Sequence, residues 1–382
     1  MRVLIISHSY IAPENRHKIT VLGQKQDLEI GVLFPPRWIA LGRHLFFLQQ
    51  SQDTERHWTF TCPVYGAGDN SKYIYDPICL RRDILEFKPD LIHVEEEPWS
   101  RCLGEIAILS KITSSRLIFF SWENLELSLS FAQQQIRRLV FSQSIAALVG
   151  NEEAKSLLQK SGFGKRVDVI TQFGADTDAF VPLSLEQKQA VRERLGLTGF
   201  VVGFAGRLVE EKGIGTLLRA IAELKKTAPD CRLLLVSTTI IPSEFEDMIE
   251  DLNITDSVVV ADGLGHDRIR EYTQVMDCLV LPSLTTPTWK EQFGRVLTEA
   301  MACQVAVIGS SSGAIPEVIG EAGLIFKEGD AGDLVSKISL YYQNPSLLQD
   351  KARMGYQRVQ EKYSFKAVAE KTYQLYKQIL EH

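Results

Sequence analysis

The chain has 382 residues and a formal net charge of −6, with 45% hydrophobic and 24% charged residues. This length exceeds what one ordinary hydrophobic core holds and favours two domains of a globular protein. The lack of a basic surplus argues against a nucleic-acid partner, and the longest apolar runs are too short to span a membrane.

Short apolar runs alternate with amphipathic stretches in the first half of the chain. The runs are apolar almost throughout, which is typical of parallel strands covered on both faces by crossover helices. Strands are predicted at residues 2–7, 28–34, 90–94, 116–121, 145–150 and 166–171. Helices are predicted near residues 74–88, 98–112, 125–142 and 151–161. The first run is interpreted as a buried strand and not as a secretory signal.

The alternation weakens at residues 172–188 and then restarts. Strands are predicted at residues 200–206, 231–237, 257–262, 278–283, 304–309 and 323–326, with helices between them. The sequence therefore predicts two Rossmann-like, doubly wound α/β domains that face each other across a cleft. The predicted boundaries are residues 1–180 and 181–363, with a C-terminal helix at 364–382 that packs back on the first domain.

Residues 206–221, GRLVEEKGIGTLLRAI, follow a predicted strand and lead into an amphipathic helix. Small residues such as Gly206 allow a ligand to approach the backbone, and a helix start favours an anion. Arg207 supplies a planar fork and Lys212 a compact charge, which together suit a diphosphate. The spacing equally fits a solvated turn in which neighbouring glutamates balance the two cations.

Two carboxylates flank the start of another predicted helix in residues 287–302, PTWKEQFGRVLTEAMA. Glu291 precedes the first turn, and Glu299 lies two turns further on, at the side of the apolar stripe. The residues alone leave two interpretations open. The acids bind a sugar at the helix start, or Glu291, Arg295 and Glu299 form an exposed charge ladder at i, i+4 spacing.

Three segments occur in the expected order: 203-GFAGRLVEEKG-213, 291-EQFGRVLTEAMA-302 and 309-GSSSGAIPEVIGEAGLIF-326. Together they closely resemble the family-four retaining glycosyltransferases, which have the GT-B fold, and the resemblance covers nearly all of residues 199–326. It implies that a sugar is moved from a nucleoside-diphosphate sugar to an acceptor hydroxyl with retention of configuration. It further implies no metal or other cofactor, and a place in polysaccharide, glycolipid or glycoside biosynthesis.

The resemblance also implies roles for individual residues. Arg207 and Lys212 would bind the donor diphosphate and, with Glu291 on the sugar hydroxyls, would form the catalytic set. Glu299 would accept hydrogen bonds from the ribose. The other donor-binding candidates are Gly206, Gly263, Phe293, Gly294 and Arg295.

In the first domain the resemblance is weaker, and the candidates are polar residues that follow predicted strands. Many family members carry a His after the strand that corresponds to residues 116–121. This chain has SWENLE there, so Glu123 or Asn124 would take over the contact to the sugar. The further candidates for acceptor or sugar contacts are His8, Glu95 and Glu96. Loop solvation for His8 and an ordinary first helical turn for the glutamates are the alternatives.

The expected partners are a nucleotide-sugar donor and a hydroxyl acceptor that is a saccharide, a lipid-linked sugar or a small molecule. Residues 35–50 mix Arg, Trp and Phe and fit either a loop packed on the sheet or peripheral contact with the inner face of the membrane. The six cysteines are scattered without a CxxC pair, which predicts reduced thiols in a cytoplasmic protein and no zinc site.

Two alternative functions stay open. One is a non-catalytic protein that binds a nucleotide sugar, and the other is a GT-B enzyme of another kind, a nucleotide-sugar epimerase or a phosphorylase that uses pyridoxal phosphate. The acidic spacing in residues 176–178, Asp-Thr-Asp, is one used by metal-dependent sugar transferases. Because it lies in the predicted linker, it is interpreted as part of a turn.

Overall fold

The computed structural model describes residues 1–39, 45–47 and 56–381. It divides into a first unit, Met1–Gly174 together with Phe365–His382, and a second unit, Ala175–Ser364. Within the described ranges, no helix combines the length and the apolar character needed to cross a membrane. Half of residues 35–50, the segment that fits either a packed loop or peripheral membrane contact, lies outside the described residues, namely 40–44 and 48–50.

The first unit is built on a parallel sheet whose strand order is β11-β10-β9-β8-β1-β2-β5. Two short antiparallel pairs, β3 with β4 and β6 with β7, lie outside it. The strands are β1 (Arg2–Ile6), β2 (Glu29–Phe34), β3 (Arg37–Ile39), β4 (Leu45–Phe47), β5 (His57–Thr61), β6 (Val64–Tyr65), β7 (Ile74–Tyr75), β8 (Leu91–Val94), β9 (Arg116–Ser121), β10 (Ser144–Val149) and β11 (Arg166–Val169).

Helices cover the sheet of the first unit, and polar caps fix where several of them begin. The side chains of Asp76, Ser100 and Asn151 accept hydrogen bonds from backbone N–H groups in the first turn of the helix that follows each of them. Ser130 and Gln133 form a capping box. The helices are α1 (His17–Gly23), α2 (Pro77–Phe87), α3 (Arg101–Thr113), α4 (Phe131–Gln143) and α5 (Glu152–Lys160).

The second unit repeats the design with a parallel sheet of order β14-β13-β12-β15-β16-β17. Its central strands are buried along their whole length, which explains their uninterrupted apolar sequence. The strands are β12 (Val201–Ala205), β13 (Arg232–Val236), β14 (Val258–Ala261), β15 (Cys278–Leu281), β16 (Ala306–Ser310) and β17 (Leu324–Phe326). The helices are α6 (Leu185–Arg194), α7 (Ile214–Leu224), α8 (Ser243–Asp251), α9 (His266–Gln274), α10 (Arg295–Ala302), α11 (Ile315–Ile319), α12 (Ala331–Gln343) and α13 (Pro345–Arg358).

The two passages of the chain between the units lie side by side. Ala175 N donates to Tyr363 O over 2.7 Å, and Ala175 and Ser364 form an isolated parallel bridge. This backbone pairing ties residue 175 to the second unit. The first boundary therefore falls after Gly174, earlier than the predicted residue 180.

The last helix, α14 (Phe365–Glu381), belongs to the first unit and packs on α1. Its Tyr376 hydroxyl lies 2.6 Å from His93 Nδ1 on β8, and both side chains are buried. Burial lowers the pKa of His93 to about 4, so the ring is neutral at physiological pH. Nearer the surface, Tyr373 Oη donates to Asp27 Oδ1 over 2.6 Å.

The predicted fold class is confirmed, and each predicted strand corresponds to an observed one. Edge strand β5 was not predicted, because His57–Thr61 alternates polar and apolar residues and is only partly buried. Helix α10 begins at Arg295, directly after Gly294, which adopts a left-handed conformation with φ of +75°.

We expect Tyr376→Phe to lower the free energy of unfolding of the first unit by about 1–2 kcal/mol, because it leaves the buried His93 nitrogen without this partner. Urea denaturation measures the change. Tyr272→Phe is the control, since the Tyr272 hydroxyl accepts only a long hydrogen bond of 3.3 Å from Arg268. Equal losses of unfolding free energy in the two variants would show that the hydrogen bond to His93 contributes no more to stability than the long one to Tyr272.

Candidate active site

In the second unit, an ion pair lies beyond the carboxyl ends of the parallel strands. Lys212 ends a short 3-10 turn after β12, and its Nζ lies 2.6 Å from Glu291 Oε2. Ser283, which follows β15, donates its hydroxyl to the same carboxylate oxygen over 2.9 Å. The Trp289 ring lies under the ammonium, 4.7 Å from Nζ. Lys212 and Glu291 are 16% and 9% exposed, so the pair is held in place but still meets solvent.

Two glycines let the loops of this site approach one another. A Cβ at Gly213 would lie 1.9 Å from Pro282 O, and a Cβ at Gly313 would lie 2.1 Å from Glu291 O. Both residues also have positive φ, which disfavours any side chain. In addition, Ala314 N donates to Glu291 O over 3.0 Å. The loops after β12, β15 and β16 are therefore fixed around the Lys212–Glu291 pair.

Arg207 is the more accessible cation of this edge. It follows Gly206, whose φ of +152° turns the chain out of β12. Its side chain is 48% exposed, and its guanidinium lies 3.8 Å from the Glu211 carboxylate. A surface pair of this length is weak, so the Arg207 guanidinium can turn towards an incoming anion.

Helix α10 carries the second acid of the motif. Arg295 Nε lies 3.0 Å from Glu299 Oε1, and Glu299 is 13% exposed. Burial raises the pKa of Glu299, and the charge of Arg295 opposes that rise. Phe293 is buried and contacts the Tyr363 ring edge-on, with centroids 5.6 Å apart. Glu299 thus pairs with Arg295, and Glu291 pairs with Lys212.

The site includes residues that the sequence analysis did not single out. Ser283 and Trp289 contact the central pair directly, and Thr285 Oγ1 joins Ser312 Oγ at 2.9 Å. Glu328, which follows β17, accepts from the Thr285 hydroxyl over 2.8 Å. In the sequence, these residues are marked only by their position at or after the end of a predicted strand.

Gly263 lies beyond β14 at the same edge of the sheet and has φ of +63°. Its loop is joined to the loop after β13 by two hydrogen bonds. Leu264 N donates to Ser237 O over 3.1 Å, and Ile241 N donates to Asp262 Oδ2 over 2.7 Å. The turn at Gly263 is therefore ordered together with the loop after β13.

In the first unit, Glu96 organises the residues that follow β1. Its Oε1 lies 2.6 Å from His8 Nδ1 and accepts from the Tyr73 hydroxyl over 2.7 Å. The His8 backbone N–H also donates to it, over 3.1 Å. The His8 ring stacks on Trp38 with centroids 4.5 Å apart and stays 19% exposed. Glu96 thus holds the ring, and His8 is the member of the pair that meets solvent.

Glu95 faces inward from the end of β8. It forms a fully buried ion pair with Lys18, and Gln172 Nε2 donates to its Oε2 over 3.1 Å. Burial alone would raise the pKa of Glu95, but the Lys18 ammonium lowers it below its ordinary value. Gln172 also accepts from Trp122 Nε1 over 2.7 Å, so it links the ends of three strands. Glu95 is therefore occupied by internal partners.

Glu97, which comes directly after Glu95 and Glu96, lies beside the segment that replaces the missing His. Its carboxylate accepts from the Ser121 hydroxyl over 2.5 Å and from Trp122 N over 2.8 Å. Burial raises its pKa to about 8, and the nearby Glu123 carboxylate adds to the rise. Glu123 itself accepts from Trp99 Nε1 over 2.8 Å, and Asn124 is buried. Two carboxyl groups of raised pKa thus meet at this strand end.

Comparison with known proteins finds a family match within the second unit. The family model described as "Glycosyl transferases group 1" matches residues 186–358. This segment is therefore similar to the glycosyl transferases of group 1. Alpha-maltose-1-phosphate synthase of Mycolicibacterium smegmatis is 30% identical over 231 residues, which cover 56% of this chain and 57% of that protein. The chain thus matches little more than half the length of this curated relative.

Solved structures extend the likeness to the whole chain. Sucrose-phosphate synthase from Thermosynechococcus elongatus superimposes with a TM-score of 0.75 at 18% identity, covering 100% of this chain and 99% of the other. Anabaena Alr3699/HepE, solved in complex with UDP, gives a TM-score of 0.74 at 18% identity and covers 99% and 100%. The predicted GT-B fold is thereby confirmed, and the segment that the family model matches lies in its second half.

We expect Glu97 to make the protein less stable as the pH rises. Its pKa is 4.5 as a free side chain and about 8 in the folded protein, so in this window the unfolded chain releases a proton that the folded chain keeps. The free energy of unfolding therefore falls through the window. In Glu97→Gln the slope should be less negative by up to about 1.4 kcal/mol per pH unit.

Urea unfolding at several pH values across this window measures the slope. Glu86→Gln, at an exposed position on α2, is the control and should follow the parent protein. If Glu97→Gln and the parent protein lose stability in parallel, the carboxyl group of Glu97 is already ionised in the folded state.

Proposed function

We propose that the protein is a retaining glycosyltransferase that moves a sugar from a nucleoside-diphosphate sugar to an acceptor hydroxyl. The observation that carries this proposal is the Lys212–Glu291 pair, held by Ser283 and Trp289 beyond the strand ends of a group 1 domain. It places one fixed cation and one fixed carboxylate side by side. A donor that joins a diphosphate to a polyhydroxylated ring offers a partner for each.

The donor would bind along the edge of the second unit. Its diphosphate would lie between Arg207 and Lys212, with the start of α10 behind it, because helix N-termini favour anions. Glu291 would accept hydrogen bonds from hydroxyls of the sugar, and Glu299 from those of the ribose. The backbone at residues 293–294 would contact the sugar or a phosphate. The turn at Gly263 would lie against the base.

Lys212 and Glu291 already neutralise each other, and this prepares the site for the donor. A diphosphate supplies the negative charge that Lys212 needs, so the ammonium can share its protons between the phosphate and the carboxylate. The hydroxyls of the sugar then satisfy the remaining lone pairs of Glu291. Because both side chains are already positioned, little reorganisation is needed when the donor binds.

The reaction would break the bond between the anomeric carbon and the phosphate oxygen. Negative charge then develops on the departing diphosphate, where Arg207 and Lys212 stabilise it. The acceptor hydroxyl would attack from the same face and pass its proton to the departing phosphate oxygen. This route uses the two side-chain cations for charge stabilisation and is proposed to need no metal ion.

The first unit is proposed to supply the contacts to the acceptor. His8, which is held by Glu96 and partly exposed, is suited to hydrogen bonding with a hydroxyl. Glu123 and Asn124 follow β9, where many members of the family carry a His, and they remain candidates for a sugar contact. Glu95 and Glu96 would then act through Lys18 and His8. The acceptor is proposed to be a saccharide, free or linked to a lipid.

We expect Lys212→Ala and Glu291→Gln to lower kcat/KM by at least about 100-fold, because each removes a fixed charge from the transition state. The rate is measured as release of the nucleoside diphosphate in the presence of acceptor. Lys225→Ala is the control, since Lys225 pairs with the exposed Asp256 elsewhere on the second unit. Circular dichroism establishes that each variant folds. Turnover like that of the parent protein in either site variant would contradict the assignment.

A panel of nucleotide sugars identifies the donor and separates the alternatives. Glycosyltransfer predicts release of the diphosphate with slow hydrolysis when acceptor is withheld, and a product whose anomeric configuration, read by NMR, matches that of the donor. Tight binding without release would instead indicate a non-catalytic protein. Recovery of a sugar epimer would indicate an epimerase.

A further inference from the structure

Two cysteines that are distant in the sequence meet an aspartate in the first unit, away from the residues discussed above. Cys62 directly follows β5, and Cys79 and Asp83 lie one turn apart on the same face of α2. The two sulfur atoms and a carboxylate oxygen of Asp83 all lie within 4.8 Å of one another. Cys62 and Asp83 are buried, and Cys79 is partly exposed. The cluster therefore has a closed interior and one open side.

The backbone that carries these three side chains is well fixed. Cys62 N donates to Phe34 O over 3.2 Å, which continues the sheet pairing of β5 with β2. Cys79 N donates to Asp76 Oδ1 over 2.9 Å, so it belongs to the capped first turn of α2. The donor atoms thus come from a strand end and a helix, which are more rigid supports than a loop.

Arg82 balances the charge at the cluster from outside. Arg82 Nη2 lies 2.8 Å from Asp83 Oδ1 and 3.4 Å from Cys79 Sγ. The Arg82 side chain is 66% exposed, so its guanidinium covers the open side and can move into solvent. Burial raises the pKa of both thiols, and they stay protonated unless a stronger positive charge enters.

We propose that Cys62, Cys79 and Asp83 form a binding site for a thiophilic divalent cation of the Zn²⁺ type. Two thiolates and one carboxylate are a suitable ligand set for such a cation, and a water molecule on the open side completes four-fold coordination. In a tetrahedral site the sulfur atoms lie roughly 3.8 Å apart, so side-chain adjustments of about 1 Å suffice. The site is structural and separate from the proposed sugar transfer.

The protons and charges involved in cation binding can be accounted for. Each thiol releases its proton to solvent as its sulfur bonds to the cation, so two protons leave for each ion bound. The three ligands then carry three negative charges against two on the cation. Arg82, displaced from the interior but still adjacent, supplies the remaining positive charge. The guanidinium therefore changes from the counterion of Asp83 to the counterion of the whole site.

The bound cation would cross-link the end of β5 to the first turns of α2. Residues 62–79 include the β6–β7 hairpin, which pairs over only two residues on each strand. A cross-link that closes this segment restricts the unfolded chain and stabilises the folded one. The site thus strengthens the edge of the first sheet.

The test uses the full chain, purified with a non-thiol reductant and stripped of metal. Titration with Zn²⁺ should bind about one equivalent, release protons and raise Tm, and Co²⁺ should give the near-ultraviolet charge-transfer band of thiolate ligation. Cys79→Ser, a mild change in a first helical turn, should reduce the intensity of the band, since one thiolate remains, and should weaken Zn²⁺ binding about 10-fold or more. Cys231→Ser, which removes a buried free thiol of the second unit, should bind as the parent protein does.

Arg82→Ala tests the proposed counterion. Removal of the guanidinium leaves the occupied site with an uncompensated negative charge, so Zn²⁺ binding should weaken, but by less than in Cys79→Ser, where a ligand is lost. The proposal is overturned if the reduced protein binds no Zn²⁺, if Co²⁺ binds without the thiolate band, or if Cys231→Ser weakens binding as much as Cys79→Ser. A disulfide between Cys62 and Cys79, found by mass together with no metal binding after reduction, would equally overturn it.

Discussion

Parallel pairing of the strands is the constraint on which both candidate sites depend. In each of the two large sheets every strand runs in the same direction, so the loops that follow the strands all emerge at one edge. Lys212, Ser283, Glu291 and Gly313 are far apart in the sequence, yet they meet because they follow β12, β15 and β16. Antiparallel pairing of any of these strands would send its following loop to the opposite edge.

The electrostatics of the two edges differ in a way that suits different ligands. In the second unit the cations are near the surface, and the Lys212–Glu291 pair remains accessible. In the first unit the two acids that follow β8 have separate partners, Lys18 for Glu95 and His8 for Glu96. A polyanion is therefore expected on the second edge, whereas the first edge offers neutral or weakly charged hydrogen-bonding groups.

Much of this could be predicted from the sequence, because strand periodicity and the motif around Glu291 are local. The partners of Glu291 show where local information ends. The i+4 spacing pointed to Arg295 as an ion partner of Glu291, but it gave no sign of Lys212, which the parallel sheet brings to the same carboxylate. Trp289 and Ser283 could not be chosen in advance, since nothing in their neighbourhood separates them from ordinary loop residues.

The same limit explains the cysteines and strand β5. Sequence spacing gave no reason to bring Cys62 and Cys79 together, because their meeting depends on β5 being the edge strand beside α2. Strand β5 was not predicted, because an edge strand with one solvent-exposed face has a weaker hydrophobic pattern than a central strand. Both the contact between the cysteines and the formation of β5 depend on long-range strand pairing and not on the local preferences of the residues.

Helix α14 has a consequence for how the molecule can be made. The ribosome produces the sheet of the first unit early, but the helix that covers His93 only at the end, after the whole second unit. The second unit is continuous and can form its core as soon as it emerges, whereas the earlier sheet must wait with one face incomplete. During synthesis, the second unit can therefore complete its core before the first unit does.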